Sequence, residues 1–257
     1  ESKKDIAERK SLSFTKEDLK PFTIMRFPID KYERLLKRER LIHSPYHIYA
    51  AIYCIEIAKH ISDKINVQWS DKSDNKIIDD DLDIDALNES KWTIGIICPY
   101  KAQSSIIERL IPERKDDDKF VILCGTVHSF QGDECDIVIS LFNPPPSISP
   151  FISLNNKNIM NVSISRAKQY QIIIAPDEDT HMYEDLEEIN DIVGIIKQNY
   201  PEGYDEFGSD KMEEILFGEK NYIRTNSMVT KHQKINRYNE ADYRWEVRCD
   251  EEAVDIH

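Results

Sequence analysis

Residues 120–142, FVILCGTVHSFQGDECDIVISLF, decide the fold of this chain. An apolar strand, Phe120 to Cys124, leads into a polar loop, and a second apolar strand, Asp136 to Phe142, follows it. Two more continuous apolar runs, Trp92 to Ile97 and Gln171 to Ala175, are typical of strands buried on both faces, as in parallel sheets. The four runs predict an α/β fold whose loop lies at a strand's carboxyl end, where open α/β sheets bind ligands.

Length and composition predict one main domain. With 257 residues, 40% of them hydrophobic, the chain can bury one substantial core. It has no run of eighteen apolar residues, and the charged segment 1–10 has no apolar centre of a signal peptide, so we expect a soluble, cytoplasmic protein without a membrane partner. Its five cysteines form no C-x-x-C pair, and we expect reduced thiols and no metal site.

The net charge of −14 argues against strong electrostatic capture of nucleic acid, which needs a positive surface. The acidic residues are concentrated outside residues 91–176, which carry nine lysines and arginines against eight aspartates and glutamates. A nucleic-acid site in that segment is therefore compatible with the composition.

Patterning along the chain predicts three regions. Residues 1–43 are polar, with few apolar anchors, and we expect an N-terminal arm or the remnant of an insertion. Residues 44–200 form the main domain, which opens with an amphipathic helix whose start signal is Ser44 before Pro45. Residues 201–257 form an acidic C-terminal extension, and residues 199–208 are expected to be a linker.

Two other segments have competing interpretations. Residues 70–90 are rich in aspartate, but Ala86 stands where a calcium loop needs its turn glycine, so we expect a solvated acidic loop. The segment 231–245 mixes basic and aromatic residues that could stack on bases, or it could be a structural tail packed on the domain.

Three motifs resemble those of superfamily 1 helicases. The run from Thr126 to Ile139 is similar to motif V, with Thr-x-His, Gln-Gly-x-Glu and a hydrophobic strand in order. Residues 161–168, NVSISRAK, resemble motif VI, and Pro-Tyr-x-x-Gln at 99–103 resembles motif IV in the branch of the nonsense-mediated-decay RNA helicase and senataxin. The resemblance covers roughly residues 44–176.

The resemblance implies the second, C-terminal RecA-like domain of such a helicase, a parallel sheet flanked by helices. A P-loop requires G-x-x-x-x-G-K-[ST], and none of the seven glycines here is followed by lysine. We therefore expect a first RecA-like domain outside these residues to hold ATP and Mg²⁺ for the most part. The resemblance then implies an ATP-dependent helicase as the whole, and we expect this chain alone to be inactive.

The family's nucleotide-contacting roles fall on four residues. Arg166 would be the arginine finger that neutralises charge on the transferred phosphoryl group. Glu134 would accept a hydrogen bond from the ribose or organise the loop that does, with Gly132 permitting a close approach and Gln131 beside it. A surface arginine at position 166 and an exposed loop carboxylate at position 134 are the alternatives.

The resemblance also implies contacts with single-stranded DNA or RNA. Thr126 and Ser129 would donate hydrogen bonds to backbone phosphates, which position a strand without specifying its sequence. His128, together with Gln131, would relay the nucleotide state to the strand, or His128 is structural. Pro99 and Tyr100 would contact the strand, although Tyr100 could equally cover the core. The rival function is a non-catalytic interaction module derived from a helicase domain.

Overall fold

A computed structural model describes residues 12–29, 38–41, 44–74, 91–130, 134–143, 157–178, 180, 186–218, 246–249 and 252–255. The chain divides into two compact units, residues 1–209 and 210–257. Within the described residues, no helix is both long enough and apolar enough to cross a bilayer.

The first unit is built on a six-stranded sheet in the order β5-β4-β6-β7-β1-β8. Its strands are β1 (Phe22–Phe27), β4 (Trp92–Cys98), β5 (Phe120–Thr126), β6 (Cys135–Leu141), β7 (Ala167–Pro176) and β8 (Tyr204–Phe207). Every neighbouring pair is parallel. The expected α/β fold, a parallel sheet flanked by helices, is thus confirmed. We call the two ends of the sheet the amino edge, where its strands begin, and the carboxyl edge, where they end.

Helices cover both faces of this sheet. They are α1 (Ile48–Asp74), α2 (Lys101–Leu110), α3 (Lys157–Ser165) and α4 (Glu187–Asn199). In β4, Ile96 pairs with Cys124, whose Sγ lies 3.7 Å from the Ser104 carbonyl oxygen of α2. The next residue of β4, Ile97, pairs with Ser140, whose hydroxyl donates to the Ser163 carbonyl of α3 at 3.0 Å. Successive strand residues point to opposite faces, so α2 and α3 lie on opposite sides of the sheet.

A short antiparallel hairpin precedes α1. It consists of β2 (Arg38–Leu41) and β3 (Ser44–His47). The first helix was expected to begin at Ser44 but begins at Ile48, because residues 44–47 pair with β2 instead. Ser44 caps a different helix, accepting a hydrogen bond from the Ala102 amide of α2 at 2.8 Å. The acidic loop was expected at residues 70–90, but residues 70–74 are the last residues of α1. Residues 75–90 lie outside the described residues.

β1 lies inside the segment that the sequence analysis assigned to an N-terminal arm. All six of its residues are buried, and it lies between β7 and β8 in the sheet. Thr23 and Arg26 interrupt its apolar pattern, so the run resembles part of a polar segment when read alone. The main domain therefore includes residues on the amino-terminal side of the expected boundary at residue 43.

β8 likewise lies inside the expected extension, and together with the short 3-10 turn Pro201–Gly203 it occupies most of the expected linker. It is fastened to the sheet through buried Arg26, whose Nε donates to Glu206 Oε1 at 2.6 Å and whose Nη2 donates to Glu178 Oε1 at 2.7 Å. Lys197 of α4 contacts the other carboxylate oxygen of Glu206 at 2.7 Å, and the Tyr204 hydroxyl donates to it at 2.6 Å. Burial alone would raise the pKa of Glu206, but the bonds with Lys197, Tyr204 and Arg26 outweigh it and lower that pKa.

Four cysteines in the described part of the chain, Cys54, Cys98, Cys124 and Cys135, are free thiols. Burial raises the pKa of the Cys54 and Cys98 thiols, the latter also through a hydrogen bond with Cys124. These two thiols therefore favour the neutral form and behave as small apolar side chains.

The second unit is described only in part. It contains nearly all of α5 (Ser209–Phe217) and an antiparallel pair, β9 (Glu246–Cys249) and β10 (Glu252–Asp255). The mixed basic and aromatic segment 231–245 lies outside the described residues.

Candidate functional site

The polar loop after β5 begins with a tight turn. The Thr126 carbonyl accepts hydrogen bonds from the Ser129 and Phe130 amides at 2.9 and 3.2 Å, and from the Ser129 hydroxyl at 2.8 Å. Val127 and Phe130 are buried, whereas His128 and Ser129 are exposed. Two apolar anchors therefore hold the turn on the core and leave His128 in solvent. Ser129 uses its hydroxyl hydrogen inside the turn.

Two glycines make room for this turn. A Cβ added at Gly95 would lie 2.8 Å from the Cys135 sulfur and 3.0 Å from the Phe130 ring. A Cβ added at Gly125 would also lie 3.0 Å from that ring and would overlap the Ser129 hydroxyl. The missing side chains in β4 and β5 thus let Phe130 lie directly against the sheet.

The loop connects opposite edges of the sheet. Thr126 pairs with Cys98 at the carboxyl edge, whereas Cys135 pairs with Ala167 at the amino edge. Because β5 and β6 are parallel with β4 between them, the end of β5 and the start of β6 lie at opposite ends of the sheet, roughly 20 Å apart for strands of this length. The loop was expected at a carboxyl edge, and only its Thr126 end lies there.

This crossing separates the predicted site residues into two groups. Thr126, Pro99 and Tyr100 lie at the carboxyl edge, since they end or follow β5 and β4. Glu134 and Arg166 lie at the amino edge, directly before β6 and β7. Gln131 and Gly132 lie outside the described residues.

Arg166 occupies the turn between the end of α3 and the start of β7. Its carbonyl oxygen accepts a hydrogen bond from the Cys135 amide at 2.9 Å, which brings the backbones of the 134–135 and 165–166 segments together. The Arg166 side chain is half-buried, and its buried Nε has no hydrogen-bond partner among the described residues. A buried donor without a partner is costly, and a bound water, an ion or a catalytic role can account for it.

Glu134 is exposed and lies one residue before Cys135. The structure thus places an exposed carboxylate and a half-buried guanidinium at the same edge of the sheet. Among the described residues, no group of three or more His, Cys, Asp or Glu side chains could hold a metal ion.

At the carboxyl edge, Pro99 and Tyr100 form the turn between β4 and α2 and are half-exposed. Tyr100 packs against the core cluster that contains Phe142 and Ile173. Its ring therefore covers part of the core, which was one of the two expected roles, and its hydroxyl oxygen is buried.

Comparison with known proteins gives two results. Residues 24–178, more than half of the chain, match the model of the AAA domain family. The chain belongs to this family. A second match is to an uncharacterized ATP-dependent helicase of Caenorhabditis elegans, 33% identical over 151 residues, or 57% of this chain. The match covers only 9% of the length of that relative.

The AAA domain defined by this match contains both groups of site residues. It begins within β1, at Ile24, and ends just after β7, at Glu178. Thr126, Glu134 and Arg166 all lie inside it. β8 and everything after it lie outside, although β8 completes the sheet of the AAA domain.

Gln103 ends the Pro-Tyr-x-x-Gln motif at residues 99–103, but the sequence alone indicates no role for it. Gln103 is fully buried in α2, and its Oε1 accepts hydrogen bonds from the His47 amide at 2.7 Å and the Asn143 side chain at 3.3 Å. Its Nε2 donates to the His47 carbonyl at 3.2 Å. Gln103 thus joins β3, α2 and the end of β6, and it fixes the turn of Pro99 and Tyr100 at the carboxyl edge of the AAA domain.

Proposed function

We propose that this chain is the second RecA-like domain of a superfamily 1 ATP-dependent helicase, of the branch that contains the nonsense-mediated-decay RNA helicase and senataxin. In this role it completes an ATP site whose P-loop belongs to another domain, and it grips single-stranded DNA or RNA. The AAA domain match and the similarity to a stretch of an ATP-dependent helicase support the general assignment.

The observation that carries the proposal is the arrangement at the amino edge. Glu134 and Arg166 come from segments about thirty residues apart, and the bond from the Cys135 amide to the Arg166 carbonyl holds them at one place. The Arg166 side chain is half-exposed at this edge, so its guanidinium could pair with an oxyanion brought by the P-loop domain. A guanidinium fixed there would neutralise the charge that develops as a phosphoryl group is transferred.

ATP and Mg²⁺ would be held mainly by the P-loop domain, and the bound ion would neutralise charge on the β- and γ-phosphates. In this chain, Arg166 would face the γ-phosphate, and Glu134 would accept a hydrogen bond from the ribose. Gln131 and Gly132 would complete this surface between Glu134 and the turn of Thr126.

The carboxyl edge would hold the nucleic-acid strand. Thr126 and the exposed side chain of His128 would contact backbone phosphates. The Ser129 hydroxyl donates its hydrogen to the Thr126 carbonyl, so it could donate to a phosphate only after that bond breaks. Contacts of this kind do not distinguish sequences. Pro99 and the Tyr100 ring would pack against the strand. His128 and Gln131 would relay the nucleotide state to the strand.

The test is strand-stimulated ATP hydrolysis by the protein that joins this chain to its P-loop domain, compared with its Arg166→Ala variant. We expect kcat to fall on the order of a thousandfold or more while single-strand affinity is retained, as for a lost arginine finger. Arg109→Ala is the matched control, because Arg109 lies in the last turn of α2 and is exposed. Equal rates in wild type and Arg166→Ala, or no hydrolysis in either, would favour the non-catalytic interaction module.

A further inference from the structure

A second polar group lies at the amino edge, and the proposed function does not use it. Asp136 of β6 accepts hydrogen bonds on Oδ2 from the Thr93 amide at 2.9 Å and the Thr93 hydroxyl at 2.8 Å. The Asp136 amide donates back to the Thr93 hydroxyl oxygen at 2.9 Å, and Gln169 Nε2 donates to Asp136 Oδ1 at 3.1 Å. One carboxylate therefore fastens three adjacent strands, β4, β6 and β7. We call Thr93, Asp136 and Gln169 the Asp136 cluster.

The Asp136 cluster lies at an irregularity in the sheet. Cys135 pairs with Ala167, but Ile137 pairs with Tyr170, so two residues of β7, Lys168 and Gln169, stand opposite Asp136. Such a bulge bends the strand that carries the extra residue, and bulges often redirect a side chain next to an active site. Gln169 is one of the two bulged residues, and its bond to Asp136 fixes the bulge.

The bulge begins two residues after Arg166. On one side, Asp136 follows Cys135, whose amide is bonded to the Arg166 carbonyl. On the other side, Asp136 holds Gln169 of β7, three residues after Arg166. The Cα–Cβ bond of Arg166 takes its position and direction from this backbone, so a shift of the backbone would move the guanidinium. The Asp136 cluster fixes that backbone from both sides.

We propose that Asp136, with Thr93 and Gln169, is a positioning residue for Arg166. The cluster sets the bulge so that the guanidinium is held where phosphoryl transfer needs it. This inference rests on the proposed function of Arg166 as an arginine finger. A displacement of about 1 Å at a reacting centre can cost on the order of a hundredfold in rate, so a second group that fixes the backbone has a measurable effect.

A purely structural role makes a different prediction. If the Asp136 cluster only stabilises the sheet, removing one of its bonds lowers the free energy of unfolding and leaves the kcat of the folded enzyme unchanged. If it positions Arg166, the same change lowers kcat for ATP hydrolysis, and it does so only while Arg166 is present. Double-mutant cycles separate these two cases. When two residues act through one group, the effects of their substitutions on kcat are strongly non-additive.

The experiment uses the protein that joins this chain to its P-loop domain. Thr93→Val keeps the shape of the side chain and removes its hydroxyl, and Gln169→Ala removes the bond to the bulge from a half-buried position, where a folding defect is less severe. Thr23→Val is the matched control, since Thr23 is a buried threonine of β1 whose hydroxyl donates to the Lys20 carbonyl at 3.0 Å, away from Arg166. Each variant is made with Arg166 and with Ala at position 166, and kcat, the KM for ATP, single-strand affinity and the thermal unfolding midpoint are measured.

We expect Thr93→Val and Gln169→Ala to lower kcat about tenfold to a hundredfold, with the KM for ATP and single-strand affinity within about twofold of wild type. In the Arg166→Ala background the same changes should have no further effect on kcat, and Thr23→Val should leave kcat unchanged in both. A loss of equal size in both backgrounds, or an unchanged kcat in folded Thr93→Val and Gln169→Ala proteins, would overturn the inference. If Arg166→Ala itself leaves kcat unchanged, the proposed function fails first, which is a distinct outcome.

Discussion

Gly95 and Gly125 matter for the candidate site because they lack a side chain. Phe130 lies against both, and its burial holds the loop that links the two edges of the sheet. A methyl group at Gly95 would meet the Cys135 sulfur and the Phe130 ring, neither of which can move far inside a packed core. Close approach, rather than an unusual backbone angle, explains a glycine at this position.

We therefore predict that Gly95→Ala lowers the free energy of unfolding of this chain by about 1–3 kcal/mol, the usual cost of overpacking a core. Gly194→Ala is the matched control. Gly194 lies in α4 with nothing within 4 Å of an added Cβ, so alanine there should raise stability by roughly 0.5–1 kcal/mol through helix propensity. Urea denaturation of both variants is the measurement. A Gly95→Ala protein as stable as wild type would show that Phe130 and Cys135 can move aside.

The strand β8 shows how a segment beyond the AAA domain match becomes part of the domain. It is only four residues long and half-buried, so its backbone pairing with β1 is a limited source of stability. The buried Arg26 guanidinium adds bonds to Glu206 of β8 and to Glu178 after β7. Removing one partner of a buried charge leaves that charge poorly compensated, so Glu206 matters more to β8 than a surface carboxylate would.

Glu206→Gln should therefore destabilise the chain in a pH-dependent way. The pKa of Glu206 is lowered from its ordinary 4.5, so its ionised form stabilises the fold at neutral pH. This contribution is present above pH 4.5 and is lost as the pH falls through the lower folded pKa. We expect a loss of about 1–2 kcal/mol at pH 7, which shrinks as the pH is lowered below 4.5.

Chemical denaturation across this pH range is the measurement for Glu206→Gln. Glu214→Gln is its control, because Glu214 forms an exposed pair with Lys211 and should change stability by less than about 0.5 kcal/mol at any pH. A difference between wild type and Glu206→Gln that grows as the pH falls would contradict the assignment of the ionised form as the stabilising one.

The two candidate surfaces lie at opposite edges of the sheet, and their separation bears on the activity expected of the isolated chain. The amino edge presents Glu134 and Arg166, but the sequence contains no P-loop to bring a phosphate to them. The carboxyl edge presents Thr126 and the turn of Pro99 and Tyr100, in a chain with a net charge of −14. Under the proposed function, each surface is one half of a site.

We predict that the 257-residue chain by itself hydrolyses no ATP above background, with or without single-stranded DNA or RNA. The physical reason is that an arginine finger stabilises a transition state only after another group has bound and oriented the phosphates. Phosphate release at saturating ATP is the measurement, with the protein that includes the P-loop domain as the positive control. Turnover by this chain that survives Arg166→Ala would show that its chemistry lies elsewhere.

Local patterns were sufficient to predict four of the six strands of the sheet. Their predicted bounds agree with β4, β5, β6 and the middle of β7 to within a few residues, because each is a continuous apolar run. Burial on both faces was wrong for β5, which lies at the edge of the sheet and is mostly half-buried. β1 and β8 were missed because charged residues interrupt them. Arg26 and Glu206 are tolerated in paired strands because they contact each other and have further partners in Glu178, Lys197 and Tyr204.

The sequence by itself determined the identity and order of the motif residues, including Thr126, Glu134 and Arg166, and the absence of a P-loop, since these are properties of neighbouring positions. Only the tertiary structure decided which residues share a surface. In the parallel order β5-β4-β6, Thr126 ends β5 at the carboxyl edge and Glu134 precedes β6 at the amino edge, although only seven residues lie between them. Strand order depends on contacts between residues far apart in the chain, so no local pattern specifies it.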